Sequence, residues 1–286
     1  MFWIIIWAVG ANWLAYRKGY YQFPKNLGKN SPSLTHIEFL GSFGLYLIIG
    51  YLLAPRFAKF LLSYFQKTSP QLFSLSIPVL CFMQFCIMLI TFLILQSFLY
   101  QQNSILYRKI WKNKDHPKSS WVVVDFAVGI VGWVLSFPIV SIINGLLETL
   151  IKKFVDLGHY EQLAVKFVKT ALSSPACIFL ALSSVIILAP LIEEFLFRGV
   201  LQTHLKKHLG RHAAIILSAL AFSFFHFALS QGYGNISLLI SLFTLGGFLG
   251  FLYEKQGSLW SPIALHMTFN TVSALRIIFL PEVLTT

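Results

Sequence analysis

The stretch Ile192-Glu193-Glu194-Phe195-Leu196-Phe197-Arg198-Gly199 places two carboxylates and an arginine at the end of a long apolar run. Ionisable groups are costly in hydrocarbon, so those that occur there are usually paired and functional. On a helix, Glu194 and Arg198 share a face at i,i+4 with the acid first, which is the favourable order. We therefore predict a Glu194–Arg198 ion pair and a Glu193 side chain that faces a cavity. A helix end that emerges among lipid headgroups is the alternative.

The composition places the chain in a membrane. Of its 286 residues, 57% are hydrophobic and 11% are charged, and the mean hydropathy is +0.73; about 25% charged residues is usual for soluble domains. The net charge of +12 would suggest nucleic acid as the partner of a soluble domain. Here, however, the basic residues separate apolar runs and set orientation. We expect membrane lipid, and no nucleic acid, as a partner.

The apolar runs predict an all-α, polytopic transmembrane helical bundle of about eight spans. The predicted spans are 1–16, 37–53, 73–100, 121–147, 171–197, 213–229, 236–253 and 260–280. They form one continuous membrane domain, in which residues 1–170 carry no recognised motif and residues 171–281 hold the polar positions. Three cysteines inside apolar runs are expected to be packing residues.

The loops predict the orientation of the bundle. With the N-terminus outside, fourteen Lys and Arg residues fall in inside loops and seven in outside loops. Because positive residues are enriched in cytoplasmic loops, this arrangement is preferred. It puts Glu193 near the cytoplasmic end of its helix, so we expect a multi-pass protein of the cell membrane whose active site faces the cytoplasm.

Two further polar points lie in apolar helices. His226 sits in an aromatic run inside the sixth predicted span, and a single His there is more often a packing residue. His266 and Asn270 share a helical face at i,i+4, and both can donate hydrogen bonds while neutral.

Together these residues provide the chemical groups that amide hydrolysis requires. A carboxylate such as Glu193, desolvated among apolar side chains, is a competent base toward water. A His/Asn pair such as His266 and Asn270 can stabilise the oxyanion in a dry site. Each residue alone is a weak signal, but jointly they indicate a hydrolase.

Three motifs occur in order: Glu193-Glu194-x-x-x-Arg198, Phe222-x-x-x-His226 and His266-x-x-x-Asn270. With their flanks they resemble the CAAX-protease and bacteriocin-processing family of intramembrane proteases, also called CPBP or Abi. The resemblance covers about residues 180–272. It implies an endopeptidase that cleaves near the C-terminus of membrane-associated or prenylated substrates, or that processes peptides such as bacteriocins.

The resemblance also implies a role for each motif position. Glu193 is the general base, His226 orients or activates the water, and His266 and Asn270 hold the oxyanion. Glu194 and Arg198 support them.

The resemblance leaves the mechanism open between two forms. In the preferred form no cofactor is required. In the other, Glu193, His226 and His266 bind a zinc ion with an open water position, although no HExxH motif is present.

Two other classes of function stay open. A non-enzymatic immunity or scaffold protein would bind a peptide between the same helices. A small-molecule transporter would need a polar path open to both sides, and the inverted repeats typical of many transporters are absent from the sequence.

Overall fold

The structure, a computed structural model, describes residues 2–24, 34–68, 76–118, 121–155 and 163–280. Within these residues it contains helices and no strand, and the predicted all-α class is confirmed. The helices are α1 Phe2–Arg17, α2 His36–Thr68, α3 Ser76–Gln102, α4 Ser104–Trp111, α5 Val122–Lys152, α6 Leu163–Ala171, α7 Pro175–Leu209, α8 Arg211–Phe224, α9 Gly234–Gln256 and α10 Trp260–Phe279.

Five of the described helices, α2, α3, α5, α7 and α9, are long and apolar enough to cross a membrane. This is the pattern of a multi-pass membrane protein, but the expected number of eight spans is not confirmed. The helices in the first, sixth and eighth predicted spans, α1, α8 and α10, are not among the five. The third predicted span begins at residue 73, and its first three residues lie outside the described ones.

The chain divides into two compact units. Unit 1 comprises Met1–Thr35, Ile105–Glu161 and Glu194–Phe269, and unit 2 comprises His36–Ser104, Gln162–Glu193 and Asn270–Thr286. The division predicted from sequence, with a boundary near residue 170 inside one continuous membrane domain, stays a prediction.

Unit 1 packs α8 and α5 against α9, and α1 against α5. Glycines allow close backbone approach between α5 and α10 and between α9 and α8. A Cβ added at Gly129 of α5 would lie 2.4 Å from the Ser261 carbonyl oxygen, and one at Gly246 of α9 would lie 3.0 Å from the Cα of Ala219 in α8. Such close approach is a common use of small residues between membrane helices.

A buried carboxylate holds three helix ends of unit 1 together. Glu254, near the end of α9, accepts hydrogen bonds from Lys206 at 3.1 Å and from Gln202 at 3.2 Å, both on α7. The Arg211 Nε atom, at the start of α8, lies 3.6 Å from the same carboxylate. We refer to these four residues as the Glu254 cluster.

Unit 2 packs α3 against α6 and the first turns of α7. Its core contains two of the cysteines, Cys81 and Cys177, together with Ala171 and Ala181. Both thiols are buried and unbridged, so the expected packing role is confirmed for these two.

Helix α7 carries two π-helical segments that the sequence reading did not anticipate, Ser183–Leu188 and Phe195–Gln202. The first ends two residues before Pro190. The proline ring lacks an N–H and crowds the carbonyl four residues earlier, which lies inside this segment. A wider turn relieves that crowding and keeps the helix continuous. Wide turns of this kind are frequent at functional sites, and the quoted acidic stretch spans the boundary between the second one and the α-turns before it.

The prediction that His226 lies inside a helix is wrong. Helix α8 ends at Phe224, and the His226 N–H bonds to the Ser223 carbonyl at 3.0 Å in a tightened last turn. The chain then leaves the helix because the Asn235 side chain satisfies the Ala228 backbone, accepting from its N–H at 3.2 Å and donating to its carbonyl at 2.7 Å. His226 is therefore held in a turn.

Candidate active site

The predicted ion pair is present in unit 1. Arg198 Nη1 donates to Glu194 Oε1 at 3.1 Å, and both side chains are completely buried. Arg198 Nη2 also donates to the Gly246 carbonyl at 3.3 Å. A buried charge is tolerated only when it is paired and hydrogen-bonded, and α9 supplies the extra acceptor here.

Glu194 has a second partner that the sequence did not reveal. The Nδ1 atom of His266, on α10, lies 2.7 Å from the same Oε1 atom that accepts from Arg198. As the carboxylate of a salt bridge, Glu194 can only accept hydrogen bonds. His266 therefore carries its proton on Nδ1, and its chemistry is carried out by Nε2.

Phe222 contacts three polar residues of the motifs in unit 1. The guanidinium carbon of Arg198 is 4.5 Å from the centre of its ring, within the range of a cation–π interaction. The ring of His226 lies 4.9 Å away and the ring of His266 lies 5.8 Å away, both edge-on. One fully buried aromatic ring thus brings together residues from all three motifs.

His226 is oriented by the turn in which it lies. Its Nδ1 atom is 2.9 Å from the Phe222 carbonyl oxygen, and an oxygen there requires Nδ1 to be the donor. Nε2 is then the nitrogen that can act as an acceptor, as it is in His266. The two motif histidines of unit 1 are set in the same tautomer by two different acceptors.

The two remaining predicted catalytic residues belong to unit 2. Glu193 lines a pocket of about 170 Å³ formed within that unit, in agreement with the prediction that it faces a cavity. The Nδ2 atom of Asn270 donates to the Val185 carbonyl at 2.9 Å, in the first π-helical segment of α7. An amide nitrogen carries two hydrogens, so this bond fixes the carboxamide and uses one of them.

The arrangement in unit 1 changes one detail of the predicted chemistry. With Nδ1–H directed at Glu194, His266 can donate from Nε2 only when the ring carries both protons. A neutral His266 accepts at Nε2 instead. The imidazole beside this carboxylate can therefore accept a hydrogen bond at Nε2 or, when the ring carries both protons, donate one there.

A metal ion was the alternative predicted from the resemblance. Within the described residues, no group of three or more His, Cys, Asp or Glu side chains is arranged so that it could hold a metal ion. The donor chemistry of the single residues is suitable, since metal-binding histidines typically place their other nitrogen against an oxygen. The ligand set Glu193, His226 and His266 stays a prediction.

Sequence reasoning missed two contacts. Glu194 and His266 are 72 positions apart, and nothing local links them. Phe222 was noted only as the first residue of a motif; its position four residues before His226 is the one signal that could have suggested contact between them.

Comparison with known proteins supports the three motifs. A model of the family described as type II CAAX prenyl endopeptidase Rce1-like matches residues 173–272. The chain is also similar to the uncharacterized protein YpbD of Bacillus subtilis strain 168, with 34% identity over 107 residues, which are 37% of this chain and 48% of YpbD. The chain thus spans about half the length of this curated relative. No solved structure matches it.

Proposed function

We propose a function from the family match and the motifs: residues 173–272 match the model of the type II CAAX prenyl endopeptidase Rce1-like family, the kind of family that the three motifs predicted, and we infer that the protein is a member of it. The protein is a multi-pass membrane endopeptidase of the CAAX type. It hydrolyses a peptide bond near the C-terminus of a membrane-associated or prenylated protein by means of a water that Glu193 activates.

The observation that carries the proposal is the 2.7 Å contact between His266 and Glu194. A purely structural ion pair needs only Glu194 and Arg198, which already neutralise each other. An imidazole added to this pair, with its tautomer set by the carboxylate, is the arrangement that orients a catalytic histidine in many hydrolases. Burial costs free energy at each of these polar groups, and catalysis explains why the chain retains them.

Each step of the reaction has a candidate residue. The Glu193 carboxylate takes a proton from water as the water oxygen attacks the carbonyl carbon, and His226 orients that water. His266, when its ring carries both protons, and the Asn270 amide donate to the resulting oxyanion. The carbon–nitrogen bond then breaks, and Glu193 returns the proton to the leaving amine.

The same residues would serve a metal-dependent form. Zinc, when bound by Glu193, His226 and His266, would supply a Lewis acid that activates the same water. Glu194 would then act behind His266 as the carboxylate that orients a ligand.

The substrate side of the proposal follows from the loops and the family. The positive-inside distribution favours a site at the cytoplasmic face, where the C-terminus of a lipid-anchored protein would reach it. Membrane lipid and such a peptide are the partners.

The test is cleavage of a quenched, farnesylated CaaX peptide by the full chain in lipid vesicles. Wild type is compared with Glu193→Gln, which preserves shape and removes the base. Glu148→Gln is the matched control, because it makes the same change in unit 1 outside the motifs. Chelator is added in parallel and then reversed with zinc.

We expect cleavage by wild type and Glu148→Gln and loss in Glu193→Gln. Additional loss with chelator, restored by zinc, would favour the metal form. Peptide that binds to wild type without being cleaved would contradict the proposal and favour a binding protein.

A further inference from the structure

The pocket beside Glu193 is built mainly by residues outside the matched family region. Its volume is about 170 Å³, and seven of its ten lining residues lie on α2 and α3, between Tyr46 and Thr91. The other three are on α7, directly before and including Glu193. The part of the chain without recognised motifs therefore forms most of the wall around the candidate base.

Most of the wall is apolar, although Tyr46, Gln84 and Glu193 also line it. Ile87 and Met88 of α3 and Ile192 of α7 line it. The Thr91 hydroxyl, also in the wall, donates to the Ile87 carbonyl of its own helix at 2.7 Å, so its donor is already used. Because its proton already has an acceptor, this hydroxyl does not require a polar group of a ligand as a partner.

Small residues create the space. Gly50 and Ala54 of α2 and Ala189 of α7 contribute minimal side chains to the wall. A Cβ added at Gly50 would meet no atom within 4 Å. Larger side chains at these positions would extend into the pocket and fill it.

We propose that this pocket binds one large apolar side chain of the substrate, next to the bond that is cleaved, and that α2 and α3 thereby determine specificity. The proposal rests on the proposed function, because it takes Glu193 as the base. A cavity of about 150 Å³ holds a benzene molecule, so leucine, methionine or phenylalanine side chains fit a pocket of this size. An isoprenoid chain does not fit, and a prenyl group must lie elsewhere.

The test measures kcat/KM for a series of peptides with Ala, Leu or Phe at each position flanking the cleaved bond. In Gly50→Leu, we expect cleavage of the Leu and Phe peptides to fall by about tenfold or more relative to the Ala peptide, because single methylenes in a binding pocket change rates by about 10- to 200-fold. Gly44→Leu is the matched control: Gly44 is on the same helix, has open space around it and does not line the pocket.

A second variant changes the pocket in the opposite direction. Met88→Ala enlarges it, and we expect the preference to shift toward Phe over Leu. This variant also covers the case in which Gly50→Leu disturbs folding. A loss of folding lowers kcat/KM equally for all peptides and cannot create a new preference.

The outcomes separate the two proposals. If Gly50→Leu and Met88→Ala both cleave the peptides with the wild-type ratios of kcat/KM, the pocket assignment is overturned. The proposed protease function is then unaffected. A profile that changes with the acyl-chain length of the lipid, and not with the peptide, would assign the pocket to lipid and also overturn it. Failure of wild type to cleave any peptide would overturn the proposed function itself.

Discussion

Glu194 and Glu254 are two buried carboxylates of unit 1 that look alike and differ in their partners. Glu194 is paired with Arg198 and with the imidazole of His266. Glu254 is paired with the basic side chains of Lys206 and Arg211. Both satisfy the rule that a buried charge needs hydrogen-bonded partners. Burial and pairing alone therefore do not distinguish a catalytic carboxylate from a structural one.

The partners do distinguish them. Lysine and arginine near neutral pH only donate, so the Glu254 cluster can hold helix ends but cannot move a proton. An imidazole can change its charge near neutral pH, so the Glu194 pair can take part in chemistry. The comparison assigns a positioning role to Glu194 and a structural role to Glu254, and the following variants test it.

The largest effect is expected for Glu194→Gln. The amide can bond to either ring tautomer and so no longer selects the Nδ1–H form of His266, and kcat should fall by about 10²- to 10⁴-fold, as when the carboxylate of a catalytic triad becomes an amide. The expected signature is a loss in kcat with KM nearly unchanged, measured on the farnesylated peptide. Retained kcat would make Glu194 purely structural.

A smaller loss of activity is expected for Phe222→Leu. Leucine keeps the site apolar but removes the ring that contacts Arg198, His226 and His266. We expect kcat to fall by about tenfold, because cation–π and edge-on ring contacts contribute about 0.5 to 2 kcal/mol each. Phe222→Tyr retains the ring and should stay close to wild type; equal losses in both variants would contradict the proposed role of the ring.

Glu254→Gln should affect stability and not catalysis. The amide still accepts from Lys206 but does not neutralise it, and we expect a loss of about 1 to 3 kcal/mol in the free energy of unfolding. The apparent melting temperature in detergent should fall, while kcat per folded molecule stays within about twofold of wild type. A catalytic defect like that of Glu194→Gln would break the comparison.

The smallest effect is a pH dependence beside the Glu254 cluster. His116 is buried; its Nε2 atom is 3.2 Å from the Glu254 carbonyl oxygen, and its Nδ1 atom accepts the Lys118 N–H at 3.1 Å. Burial lowers the pKa of His116 below its usual value of 6.5. The unfolded chain therefore binds this proton more readily, and stability should decrease as the pH falls below about 6.5.

The measurement for His116 is the melting temperature between pH 5 and 8 for wild type and His116→Gln. Glutamine has no proton to gain in this range, so the decrease at low pH should be smaller in the variant. Parallel curves for the two proteins would show that His116 does not contribute.

Much of the fold and part of the site could be predicted from the sequence. The apolar runs indicated membrane helices, because hydrocarbon admits few backbone structures other than helices. The i,i+4 spacing indicated the Glu194–Arg198 pair, because local periodicity determines which side chains share a helical face. Prediction from local patterns failed where distant residues bind the backbone. At His226 the helix was predicted to continue, but the side chain of Asn235 binds the backbone that follows it.

The sequence by itself determined the class of the protein, its helical architecture, the three motifs and the ion pair, since all of these follow from composition and from spacing within a few residues. Only the tertiary structure decided that His266 contacts Glu194, that Phe222 lies among both histidines and Arg198, and that α2 and α3 form the pocket beside Glu193. These contacts join residues far apart in the chain. Their geometry depends on how helices pack, which no local pattern encodes.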